Sequence, residues 1–210
     1  MVFDIYKSYL MHHLKIFIEL TRLNKPIGFM LLFWPCSWGL TLAYIDDQNF
    51  NIFLYYMLLF FLGSVFMRSA GCIFNDIVDK DLDKKVFRTK SRPISSGKIS
   101  VKQSLVYVIL LCLISFFILI QFNFKTIYLG LGSMLLAFSY PFMKRITYWP
   151  QLFLGLTFNW GMIMAYTAIL DLISIQIILL YISAIFWTLG YDTIYGLQDI
   201  ADDEIIGIKS

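Results

Sequence analysis

QNFNIFLYYMLLFFLGSVFMRSAGCIFNDIVDKDLD, residues 48–83, joins two kinds of chemistry without a break. Residues 48–67 carry no charge, and a helix of ~20 apolar residues is what crosses the hydrocarbon core of a bilayer. The apolar character continues past Arg68 to Phe74 and then turns acidic, with Asp76, Asp79, Asp81 and Asp83 in quick succession. The stretch predicts a membrane-spanning helix that delivers carboxylates to the membrane surface.

The same signal recurs along the chain. Uncharged stretches at 26–45, 104–124, 126–143, 146–170 and 172–191 bring the candidate spans to six. With 59% hydrophobic against 15% charged residues, too little polar surface remains to cover a soluble domain of this size. The fold class expected is all-α, a multi-pass transmembrane helical bundle. Residues 1–25 form a more polar head holding Asp4, Lys7, Lys15, Glu19, Arg22 and Lys25, ahead of a membrane domain at 26–210. Within the head, residues 5–23 alternate apolar and basic positions at helical spacing, which suits a helix lying on the membrane surface. No small-residue cleavage site follows, so the head does not read as a removable signal peptide.

Cys36, Cys72 and Cys112 are odd in number, lie in apolar stretches and show no C-x-x-C spacing, which excludes a disulfide framework and a zinc site. His12 and His13 have no carboxylate beside them and read as surface residues. The net charge of +3 is accounted for by the loops, and nucleic acid is not an expected partner.

Lys and Arg alternate between rich and poor connections. The head has four, the 46–50 link none, residues 80–102 eight, Lys125 stands alone, Lys144 and Arg145 follow, the Asp171 link has none, and Lys209 lies near the end. By the positive-inside rule the head, residues 75–102, the Lys144 segment and the chain after Asp192 face the cytoplasm. The localisation expected is a bacterial inner membrane, with the N-terminus and both acidic segments cytoplasmic.

Those acidic segments carry the chemistry. If the second span continues as helix, Asn75, Asp79 and Asp83 recur at i, i+4 and i+8 on one face. The last span runs into Asp192, Asp199 and Asp203, whose offsets of 0, 7 and 11 again share a stripe. Like-charged carboxylates ~4 Å apart repel by about 1 kcal/mol in water and several times more near a protein surface, so a cation must offset them. Oxygen ligands without His or Cys favour Mg²⁺ or Mn²⁺, and magnesium binds through one or two carboxylates together with substrate phosphate oxygens. Between the segments, Lys84, Lys85, Arg88, Lys90 and Arg92 can hold the remaining oxygens of a diphosphate. Either segment alone also fits a solvated loop at a membrane boundary, but both on one side of six spans fit a lipid-linked diphosphate. Its apolar tail would lie in the membrane bundle.

Further motifs surround these residues: RLNKPIG at 22–28, MRSAGC at 67–72 leading into N-D-x-x-D-x-x-x-D at 75–83, RTKSRP at 88–93, YPFMKR at 140–145, YDT at 191–193, the pair Asp199 and Asp203, and IGIKS at 206–210. As a set they resemble the UbiA superfamily of membrane prenyltransferases, within it the branch that acts on 4-hydroxybenzoate in ubiquinone synthesis. The resemblance covers nearly the whole chain. It implies that Asn75, Asp79, Asp83, Asp192, Asp199 and Asp203 bind Mg²⁺ and a polyprenyl diphosphate, with Asp79, Asp83, Asp199 and Asp203 as the catalytic set. Asp76, Asp81 and Asp202 rank second. It further implies transfer of the prenyl group ortho to the phenol hydroxyl. The acceptor's carboxylate needs a cation, and chemistry and position favour Arg145, then Arg22. Lys144 and Tyr140 stand beside Arg145 in the same substrate-facing set. A family member has nine membrane helices, so about three further spans are expected beyond Ser210.

Two other readings stay open on sequence alone. One keeps the superfamily and changes the acceptor to homogentisate, a naphthoate, a chlorophyll-type ring or haem. The other is a cation transporter, which needs acidic residues well inside the spans.

Overall fold

Short polar side chains set the helix boundaries. Asn49 accepts from the Ile52 N–H and Asn123 from the Thr126 N–H, each closing an exposed donor of a first turn. Ser100 and Gln103 form a reciprocal capping box. That box starts its helix at Val101, three residues ahead of the apolar stretch expected from 104. Ser174 caps the last helix in the same way.

The computed structural model describes residues 2–197, with side chains throughout except at positions 2–6, 8, 9 and 144. Eight helices and no strand are found among them: α1 (Val2–Thr21), α2 (Ile27–Asp47), α3 (Phe50–Val78), α4 (Lys80–Asp83), α5 (Val101–Leu119), α6 (Phe124–Ile146), α7 (Pro150–Leu170) and α8 (Ile175–Gly196). Six of these, α2, α3 and α5 to α8, are long and apolar enough to cross a membrane, matching the six stretches read from sequence. Their outer surfaces are apolar too. Leu135 is 78% exposed, Trp187 71% and Phe117 64%, as suits a multi-pass membrane protein whose surroundings are lipid.

Lipid gives apolar side chains no reason to leave it, so the helices associate through close packing and hydrogen bonds between them. Along α2 and α7 small residues let the backbones approach: a Cβ at Gly39 would run into the Met162 carbonyl, and one at Gly161 into Cys36 Sγ. Asn159, buried on α7, donates from Nδ2 to the Ala184 carbonyl at 3.2 Å and to Thr188 Oγ1 at 2.8 Å, both on α8. Such a bond contributes about 0.6 kcal/mol on average in a membrane bundle. Asn159 thereby fixes α8 one turn before Asp192.

The helix expected on the membrane surface at residues 5–23 is α1, and its inner face joins the bundle. Ile16 and Leu20 are buried with Ala70 and Ile73 of α3, Ile94 and Ile99 of the following loop, and Val108 and Leu111 of α5. Leu10, Met11 and Leu14 remain exposed. The chain leaves α1 through Arg22 at φ 55°, a left-handed conformation that costs a non-glycine residue about 1 kcal/mol.

Candidate active site

The acidic segment does not continue α3 as one regular helix. Asp79 ends α3 and begins the single turn of α4, at φ −92° and ψ 5°. The hydrogen-bond ladder nevertheless crosses the break, from Asp79 N–H to the Asn75 carbonyl at 2.9 Å and from Asp83 N–H to the Asp79 carbonyl at 2.8 Å. Asp79 and Asp83 are both buried, 6% and 7% exposed.

Asp76 points elsewhere. It lies one residue, or about 100°, off the Asn75 to Asp79 direction and is 1% exposed. Its Oδ1 accepts from Arg22 Nη2 at 2.7 Å and from Arg92 Nη1 at 3.1 Å, and the same Arg92 nitrogen donates to Asp83 Oδ2 at 2.8 Å. Two carboxylates and two guanidinium groups thus form one network joining the α1–α2 turn, α3, α4 and the basic loop. Burial pulls the Arg22 guanidinium toward deprotonation, but the Asp76 and Asp83 charges outweigh it and raise its pKa above the ordinary arginine value. Thr89 adds a hydrogen bond from Oγ1 to the Asp83 carbonyl at 2.9 Å.

Asp79 faces a different partner. Arg145, at the end of α6, donates from Nη2 to Asp79 Oδ1 at 2.9 Å and to the Val78 carbonyl at 3.0 Å. The pair is half open to solvent on the arginine side, 41% exposed against 8%. The head, the 75–102 segment and the 144–145 segment, grouped by the loop charges, thus meet at one pole. At the other pole Lys125 pairs with Asp171 at 3.3 Å, both 60% exposed.

The basic loop divides into two sets. Arg92 is committed to the network, whereas Lys85 and Arg88 are exposed, and Lys84 pairs with exposed Asp81 at 3.2 Å. Asp192 is half-buried, and Tyr140 lies within electrostatic reach of Asp192, Asp79 and Arg68. The ends of α3 and α6 meet through the Arg145–Asp79 pair. Asp199, Asp202 and Asp203 lie outside the described residues, as does the side chain of Lys144. Among the described residues no three carboxylate, thiol or imidazole side chains gather closely enough to hold a metal.

Below this pole a cavity of about 200 Å³ opens between α2, α3, α5, α6 and α7. Asn75 and Tyr140 stand at its polar end and Leu59, Phe60 and Phe122 at its apolar end. Arg68, which in the sequence only interrupts a span, lines the same cavity. Its helical phase relative to Asn75 and Asp79, offsets of 7 and 11, is the sequence signal that points to it.

An acidic pole thus stands over an apolar cavity enclosed by helices long and apolar enough to cross a membrane. The chain belongs to the UbiA prenyltransferase family, whose model matches residues 32–210. It is 48% identical over 203 residues to the mitochondrial 4-hydroxybenzoate polyprenyltransferase of Arabidopsis thaliana, covering 96% of this chain and 49% of that one. To the 4-hydroxybenzoate octaprenyltransferase of Pseudomonas fluorescens (strain Pf0-1) it is 47% identical over 194 residues, covering 92% of this chain and 64% of that one. The chain thus spans about half to two thirds of the length of these relatives. Its fold also matches a UbiA homologue from Archaeoglobus fulgidus, solved bound to DMAPP and Mg²⁺, with a TM-score of 0.73 at 18% identity over 92% of this chain and 67% of that one.

Proposed function

We propose that the protein transfers a polyprenyl group from a polyprenyl diphosphate to the ring of 4-hydroxybenzoate, ortho to the hydroxyl, in ubiquinone synthesis. The observation that carries this reading is one helix end. Asn75 lines the head of an apolar cavity and Asp79 follows one turn later, so a polar head and an apolar tail of one ligand are served together. The relatives named for this reaction support the choice of acceptor. The carboxylates of the described spans stand at helix ends, with none along the apolar length, which speaks against a cation path.

The donor set is oxygen-only and suits magnesium, which takes one or two carboxylates and completes its shell with phosphate oxygens. Asn75, Asp79 and Asp83 would hold it from α3 and α4, and Asp192, Asp199 and Asp203 from the other acidic segment. When bound, Mg²⁺ neutralises the charge that develops on the departing diphosphate. Lys85 and Arg88, exposed beside α4, reach for the oxygens that remain. The apolar cavity keeps water from the allylic carbon while its bond to oxygen breaks and the electron pair leaves with the diphosphate. The aromatic carbon next to the hydroxyl then forms the new C–C bond and gives up its proton, its C–H electron pair returning to the ring. The distribution of loop charges supports a basic pole on the cytoplasmic side, in this reading of a bacterial inner membrane.

Membranes carrying the full-length protein are expected to show magnesium-dependent transfer, stopped by EDTA. Asp79→Ala and Asp199→Ala are each expected to lower it by at least about a hundredfold. Unchanged turnover in either variant would remove that residue from the metal set.

A further inference from the structure

Between α4 and the start of α5 lies a second cleft, of about 540 Å³, lined by Lys80, Lys84, Ser95, Ser96, Ser100 and Lys102. It shares no lining residue with the cavity under the acidic pole. Its apolar lining, Ile94 and Ile99, belongs to the core formed by α1, α3 and α5, so the cleft sits on fixed ground. Among the described residues no carboxylate lines it. Lys84 shares its charge with exposed Asp81 at 3.2 Å, whereas Lys80 and Lys102 meet no carboxylate among the described residues.

The 19-residue helix α5 starts on this cleft. Its capping box engages the N–H groups of Ser100 and Gln103, while those of Val101 and Lys102 have no acceptor among the described residues. Two free donors and the positive end of the helix dipole thus stand beside the lysines. A helix start alone identifies no ligand, but Ser95 adds an independent observation. It lines the cleft at 7% exposure, and its Oγ is buried with no hydrogen-bond partner. A hydroxyl removed from water is normally answered, and its hydrogen can turn toward any acceptor placed before it.

Cations, backbone N–H groups and a hydroxyl are a set of donors that lacks an acceptor. A phosphate group answers it, because its oxygens spread tetrahedrally toward several donors at once, and lysine meets phosphate as a point charge. The position agrees, since α5 is long and apolar enough to cross a membrane and its first turn stands where a span leaves the hydrocarbon, at the depth of lipid headgroups. We propose that Lys80, Lys102, Ser95 and the first turn of α5 form a phosphate-binding site separate from the acidic pole, which takes the phosphate of an anionic lipid headgroup or free phosphate.

The test reads binding and does not depend on prenyl transfer. Full-length protein in detergent is titrated with dihexanoyl phosphatidylglycerol and, separately, with inorganic phosphate, and the affinity is followed by thermal shift and by native mass spectrometry. One saturable site is expected. The double variant Lys80→Gln, Lys102→Gln is expected to weaken it by about tenfold or more, and Ser95→Ala by about threefold, with ligand-free melting close to that of the wild type. Lys98→Gln removes a charge from the same loop outside the cleft and should leave the affinity within about twofold. Tighter binding of the lipid assigns the site to a headgroup, and phosphate that binds as tightly and displaces the lipid assigns it to the free ion. Affinities unmoved by the double lysine variant, or lowered as far by Lys98→Gln, overturn the site. The latter result would leave only the general attraction of a basic surface for anions.

Discussion

On the side of α3 that faces the α1–α2 turn, Asp76 accepts from Arg22 and Arg92 and is closed to solvent. On the side that faces the cavity, Arg68 and Asn75 stand among apolar walls, and the Arg68 Nε has no acceptor among the described residues. The first arrangement answers every charge within the protein and holds four chain segments together. The second leaves a cation lining a cavity. Buried charge that is paired belongs to the fold, and buried charge that is not paired points to a ligand.

That contrast is most easily broken at Asp76. Replacing it by Ala leaves two guanidinium groups without their shared acceptor at a buried position, a change that costs about 3–5 kcal/mol. Yield of folded protein and melting in detergent measure it, and a variant that melts with the wild type would mean the network does not hold the pole together. Arg145→Gln should sharpen the contrast from the other direction. With Arg145 partly exposed its pair with Asp79 is worth at most about 1 kcal/mol to stability. Its effect should appear in kcat at saturating substrates, because Asp79 loses a hydrogen bond that helps orient it, while the melting curve barely moves. The smallest effect belongs to the far pole. Lys125→Ala removes a pair exposed on both sides and is expected to change stability by less than about 0.5 kcal/mol and the transfer rate not at all.

Much of this was legible in the amino-acid order. Six apolar stretches became α2, α3 and α5 to α8, because in lipid a helix alone satisfies its own backbone. The stripe of Asn75, Asp79 and Asp83 survived the break at Asp79, because the hydrogen-bond ladder crosses it. Boundaries were less legible: the start of α5 was set by Ser100 and Gln103, a signal that hydrophobicity does not register. The arginine network around Asp76 was not legible at all, since its donors Arg22 and Arg92 stand 54 and 16 residues away along the chain.

Composition, span length and helical phase were decided by the sequence alone, since each depends only on which residues stand near one another along the chain. Which arginine answers which carboxylate was decided by the tertiary structure. Arg22 and Asp76 are 54 residues apart in sequence, and Arg145 and Asp79 are 66 apart. Ion pairs form through space at about 3 Å, and only the packing of α1, α3 and α6 at one pole brings these groups within reach. The same packing left Arg68 lining the cavity.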